Sequence, residues 1–66
     1  MDINNIFSYH APKKDQPKRY EEIRGAARIF AQILIDNTPA SNDQDTALRK
    51  LRECVMFANA SIAINE

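Results

Sequence analysis

The fold is decided by residues 41–65, whose sequence is SNDQDTALRKLRECVMFANASIAIN. Apolar side chains recur there at alternating spacings of three and four residues: Leu48, Leu51, Val55, Ala58 and Ile62. This period is close to one helical turn, so the pattern predicts a helix with one apolar face. Ser41 followed three residues later by Gln44 has the form of a capping box, which marks a helix start. We therefore predict a long helix over residues 41–65.

A second stripe of the same period predicts another long helix over residues 16–37. Its members are Tyr20, Ile23, Ala27, Phe30 and Leu34. Asp15 stands in the N-cap position, and Pro17 lies in the first turn, where a missing N–H costs nothing. Asn37 tolerates a left-handed C-cap, and Pro39 cannot continue the helix. The short connection makes the two helices antiparallel neighbours, so the predicted fold class is an all-α helical hairpin.

The composition limits the chain to one small domain over residues 1–66. One Cys and one His exclude an intrachain disulfide and a four-ligand zinc site. Only His10 is available to activate Cys54, which we interpret as a buried, inert thiol, so we predict no enzyme activity, metal or cofactor. Nine basic against nine acidic residues argue against a binder of polymeric nucleic acid. Neither a membrane span nor a signal peptide is evident, so we expect an intracellular protein.

Residues 54–64, CVMFANASIAI, are apolar around most of the helix, and one partner helix cannot cover them. The N-terminal segment and connector, residues 1–15, carry three apolar side chains at helical spacing that we expect to cover part of this patch. These are Ile3, Ile6 and Phe7. The uncovered remainder and the small size of the chain predict assembly into a helical oligomer. Asn59, inside the patch, either fixes the register of an oligomer core or caps the connector.

Basic side chains are concentrated in residues 9–28. Six basic and three acidic residues give this stretch a local charge of +3 and leave −3 for the rest of the chain. Arg24 and Arg28 are one helical turn apart and can converge on one phosphate. The alternative is an ordinary solvated face, in which Arg24 pairs with Glu21, and Arg28 with Asp36 or a carboxylate of the other helix.

Tyr9 and His10 lie in the connector, where no packing periodicity claims them. An aromatic ring beside cations is suited to stacking on a nucleotide base, and an imidazole can donate to a phosphate or a base. The surrounding sequence carries three motifs, of which the first and the last contain patterns that a hairpin as such does not require. They are YHAP at residues 9–12, RYEEIR at 19–24 and ECVMFANASIA at 53–63.

With these motifs the chain resembles the small phage-encoded anti-CBASS sponges, whose hairpin domain is shared with sponges against the Thoeris defence. The resemblance implies a hexamer built from dimers that binds cyclic dinucleotides of the 3',3'-cGAMP type, without cleaving them, in the host bacterial cytoplasm. It implies a pocket shared by two protomers, in which Tyr9 stacks on a base and Arg24 meets a phosphate. His10 and Pro12 would line the wall of that pocket. Arg28 joins this ligand-binding set because of its helical spacing from Arg24.

Two other functions remain open from the sequence. The apolar face of the second helix is also expected of a protein-interaction module that docks a host protein. The basic residues between Lys13 and Arg28 are also expected of a protein that binds the phosphate backbone of an oligonucleotide.

Overall fold

The computed structural model describes all 66 residues, which form three α-helices and no strands. The helices are α1 (Ile3–Ile6), α2 (Gln16–Asn37) and α3 (Asn42–Asn65). The start of α2 contacts the end of α3, where the side chain of Gln16 donates a hydrogen bond to Glu66 at 3.1 Å. The two long helices therefore run antiparallel, and the predicted all-α hairpin is confirmed. None of the helices combines the length and apolarity required to cross a membrane.

The start of α3 confirms half of the predicted capping box. The Ser41 hydroxyl accepts a hydrogen bond from the Gln44 amide at 3.1 Å, so Ser41 is the N-cap and the helix proper begins one residue later. The Gln44 side chain does not return to Ser41. It donates to the carbonyl and the hydroxyl of Thr38, both at 3.0 Å. Gln44 therefore ties the end of α2 to the start of α3 and closes the interhelical turn.

The two ends of α2 differ from the predicted caps. Asp15 occupies the N-cap position, but its side chain makes no capping hydrogen bond. Asn37 is helical, and Thr38 caps the helix with an extended backbone at φ −131°. The left-handed cap predicted at Asn37 is therefore wrong. The one non-glycine residue with a positive φ is Lys14, at 48°, in the turn that leads into α2.

The packed face between the helices is thin and incomplete. Only two residues are buried: Ile62, which is 8% exposed, and Gln16, which is 5% exposed. Phe30, a member of the predicted stripe, remains 51% exposed. The chain exposes 5500 Å², whereas a compact monomer of its mass, 7.5 kDa, exposes about 4,200 Å². A single protomer thus builds only part of a hydrophobic core.

The N-terminal segment docks on the end of α3 and leaves the middle of that helix uncovered. The Asn5 side chain donates to the backbone carbonyl of Ile64 at 3.1 Å. Met56 and Phe57 are still 59% and 74% exposed, and Phe7 itself is 82% exposed. The segment therefore covers only part of the patch, as expected, because α1 is only four residues long and contacts the end of α3.

Candidate ligand-binding site

A hydrogen-bonded clamp joins the connector, α2 and Glu66, the C-cap residue of α3. The side chain of Gln16 accepts from the backbone amide of Lys13 at 2.9 Å and donates to Glu66 at 3.1 Å. Arg19 donates to both carboxylate oxygens of Glu66, one of them at 2.9 Å, and to Asp15 at 3.4 Å. The bidentate guanidinium pair and the buried amide together hold the connector against both helices.

The ionisation of Glu66 follows from these contacts. Hydrogen bonds from Arg19 and then from Gln16 lower the pKa of Glu66 from 4.5 to about 2. The same pairing raises the pKa of Arg19 above its ordinary value. Both groups are therefore charged at neutral pH, and the pair is exposed, so its strength depends on salt.

The connector is fixed at His10 and at Lys13 and presents Tyr9 to solvent beside the first of these residues. His10 Nε2 lies 2.6 Å from the Asn5 carbonyl, and Lys13 is held by Gln16. The carbonyl can only accept, so Nε2 donates this hydrogen bond. Tyr9 is 86% exposed. An exposed ring on an anchored segment is available to stack on a flat ligand.

Three arginines line one open groove between the long helices. Arg24 and Arg28 come from α2 and Arg52 comes from α3, and the groove encloses about 330 Å³. Its floor is apolar and consists of Ala27, Ala31, Leu48, Leu51 and Val55. We call this feature the arginine groove. Guanidinium groups above an apolar floor are suited to a ligand that combines phosphates with a flat ring.

Arg24 and Arg28 are exposed, as in the solvated-face alternative, but the ion pairs expected there do not form. Neither Arg24 nor Arg28 forms an ion pair. The ion pairs of the protein join Arg19 to Asp15 and Glu66, and Lys50 to Glu53. Asp36, the expected partner of Arg28, accepts a hydrogen bond from Gln32 at 2.8 Å. The guanidinium groups of the groove are therefore free for an anion.

The structure brings together only part of the predicted site. Arg24 and Arg28 share the arginine groove, but Tyr9, His10 and Pro12 are absent from its lining. Pro12 is exposed in the connector. A ligand that touches both the connector and the groove therefore requires more than the surface of one groove in one protomer.

Arg52 was missed by the sequence analysis, although a signal for it exists. Arg52 follows Leu51 and precedes Val55 by three residues, so it flanks the apolar stripe of its helix. In an antiparallel hairpin the start of α2 lies beside the end of α3, so the middle of α3 lies opposite the middle of α2, where Arg28 is. Pairing the two helices in this register places Arg52 beside the α2 arginines.

Cys54 and Asn59 also differ from their predicted surroundings. Cys54 is exposed, so the prediction of a buried thiol is wrong. It lines a second groove of about 340 Å³ whose other members are all apolar: Ile23, Ala26, Ala27, Phe30, Leu51, Val55 and Ala58. The Oδ1 atom of Asn59 is buried without a hydrogen-bond partner. Asn59 therefore does not cap the connector, and its oxygen lacks the donor that buried oxygens normally have.

The chain was compared with known proteins. A family model described as the Acb2/Tad1 hairpin domain matches residues 1–63. The chain belongs to this family. The Acb2/Tad1 hairpin family comprises sponges of the anti-CBASS and anti-Thoeris type, which bind cyclic oligonucleotide messengers and are not enzymes. No curated protein and no solved structure shows significant similarity to the chain.

In the Acb2/Tad1 hairpin, the matched region contains every part of the candidate site except Glu66. The connector with Tyr9, the whole of α2 and the arginine groove lie within residues 1–63. Glu66, which closes the clamp, lies three residues beyond the match. No three or more His, Cys, Asp or Glu side chains are grouped in a way that could hold a metal ion.

Proposed function

We propose that the protein binds and sequesters cyclic dinucleotides of the 3',3'-cGAMP type, the messengers of bacterial CBASS immunity, and releases them chemically unchanged. The observation that carries the proposal is the arginine groove, in which Arg24 and Arg28 have no acidic partner of their own. A cyclic dinucleotide supplies two phosphates and two bases, which match the cations and the aromatic ring of this chain. Membership of the Acb2/Tad1 hairpin family supports the same ligand class.

In this proposal each site residue has a separate role. Tyr9 stacks on a base, and Arg24 and Arg28 bind phosphate through charge-assisted hydrogen bonds. Pro12 lines the wall of the pocket. His10 lines the wall as well and holds Tyr9 in place through the hydrogen bond between its Nε2 and the Asn5 carbonyl.

The proposed assembly is a hexamer built from dimers. The protomer leaves Phe57 74% and Ile29 66% exposed, and a chain of this size lacks the core to stand alone. The unpartnered Oδ1 of Asn59 favours a donor from another copy. Tyr9 lies outside the arginine groove of its own chain. A ligand bound between two protomers could contact the arginine groove of one protomer and Tyr9 of the other.

A sponge acts by mass action in the compartment where the messenger is made, which we propose is the host bacterial cytoplasm. Its dissociation constant must lie well below the messenger concentration at which the immune effector fires, and the protein must outnumber the messenger. No bond in the messenger needs to break for this function.

Isothermal titration with cyclic dinucleotides and their linear counterparts tests the proposal, with the mass of the assembly measured in the same buffer. Tyr9→Ala should weaken binding by about 5- to 150-fold, since stacking contributes about 1–3 kcal/mol per base. Tyr9→Phe is the matched control and should bind within about threefold of wild type. Both variants should keep the mass of the wild-type assembly.

Two outcomes would contradict different parts of this proposal. Wild-type affinity in Tyr9→Ala would contradict the assigned site. The absence of heat with every cyclic dinucleotide would contradict the function itself and favour the second candidate, a protein-interaction module. The exposure of Met56 and Phe57 on α3 favours that candidate, and a monomeric mass for the purified protein would strengthen it.

A further inference from the structure

Three consecutive cationic side chains of α3 have different surroundings. Arg49 donates to the hydroxyl of Thr46 at 3.1 Å, and Lys50 pairs with Glu53 at 3.5 Å. Arg52 makes no hydrogen bond or ion pair within the chain and is the one of the three that lines the arginine groove. Arg52 is therefore the one cation of α3 without a partner in the chain, whereas Arg49 and Lys50 each have one.

The arginine groove concentrates charge without compensating it. Arg24 and Arg28 are one turn apart on the same helix, where like charges repel, and Arg52 adds a third positive charge from the facing helix. No carboxylate lines the groove. All three arginines are exposed, so their attraction for an incoming anion depends on salt. An anion of at least two negative charges relieves this repulsion best.

We propose that Arg52 is a third phosphate-binding residue of the messenger site. This inference rests on the proposed function and extends it to the second helix. Each of the two phosphodiesters of a cyclic dinucleotide carries one negative charge. Arg24 and Arg28, one turn apart on α2, converge on only one of these two phosphates. With Arg52, one protomer presents guanidinium groups from both walls of the groove, so the two phosphates of the ring are held at the same time.

The test compares two arginines of α3: Arg52, which lines the arginine groove, and Arg49, which does not. Arg52→Gln removes a cation from the groove, and Arg49→Gln removes an equal charge three residues away, outside the lining. Titration with 3',3'-cGAMP should show binding about 10- to 100-fold weaker for Arg52→Gln and within about twofold of wild type for Arg49→Gln. The affinity of Arg52→Gln should also depend less on salt.

A third variant separates a ligand contact from a purely structural effect. Arg52→Lys keeps the charge but loses the two-point fork, so its affinity should fall between those of wild type and Arg52→Gln. Helix content and assembly mass should be the same in all variants. If wild type binds and Arg52→Gln binds as well as Arg49→Gln, Arg52 has no role in the site. If wild type does not bind, the proposed function fails and this inference fails with it.

Discussion

Gln16 offers the sharpest test of how this small fold is held together. It is the most buried residue of the chain, at 5% exposure, although it is polar. Both ends of its amide are bonded, to Lys13 and to Glu66. Gln16→Ala removes both bonds and leaves the Lys13 amide without its partner. At a typical net contribution of about 1 kcal/mol for each hydrogen bond, the free energy of unfolding should fall by about 2 kcal/mol.

Thermal unfolding followed by far-ultraviolet circular dichroism measures this loss. For a domain of this size, about 2 kcal/mol lowers the melting temperature by about 8–16 °C. Gln32→Ala is the matched control, because Gln32 is an exposed glutamine of the same helix with one surface bond to Asp36. That variant should stay within about 0.5 kcal/mol of wild type. Equal protein concentrations are needed, since assembly raises apparent stability.

The outcome that would refute this reasoning is a common melting temperature for Gln16→Ala and Gln32→Ala. It would mean that the buried amide contributes no more than a surface glutamine, and that the connector is held by other contacts. A second readout is the binding of a cyclic dinucleotide, which should weaken in Gln16→Ala alone if the clamp positions the connector that carries Tyr9.

Two further predictions concern Glu66 and the exposed face of α3. Because the pKa of Glu66 is lowered to about 2, its contribution to stability is complete above its ordinary value of 4.5 and is lost as the pH falls toward 2. The melting temperatures of wild type and Glu66→Gln should therefore converge in acid, and a constant gap would contradict the ion pair with Arg19. Phe57→Glu should reduce the assembly mass without loss of helix content, whereas Thr46→Glu, at an exposed polar position, should not; an unchanged mass for Phe57→Glu would exclude this face from the assembly.

The two long helices could be predicted because their signals are local. The apolar spacing and the Ser41 cap depend on residues within one or two turns of each other, and the structure has the α2 boundaries at residues 16 and 37. The caps of α2 were less predictable. Asn37 does not adopt a left-handed conformation. The helix ends instead at Thr38, whose backbone is extended and whose carbonyl accepts a hydrogen bond from the Gln44 side chain.

The site was only partly predictable because its contacts join distant parts of the sequence. Gln16 and Glu66 are 50 residues apart, and no periodicity relates them. Arg52 required the register of the hairpin, which the stripes alone do not specify. The exposure of Cys54 depends on how much of the α3 surface is covered by α2. The sequence pattern predicts which face of α3 is apolar, but it does not predict the width of the contact. By contrast, Arg24 and Arg28 were found together because both lie on one helix.

The shape of the protomer has a consequence for dosage. At 42 × 25 × 12 Å the hairpin is one helix thick, so it has two faces and almost no interior. In the proposed assembly, copies of the chain supply the missing interior for one another, and folding becomes coupled to concentration. Capacity to hold a messenger would then rise more steeply than protein abundance while the assembly forms. A newly expressed chain would bind little messenger until its concentration reached the range in which the assembly forms, and would bind messenger effectively above that concentration.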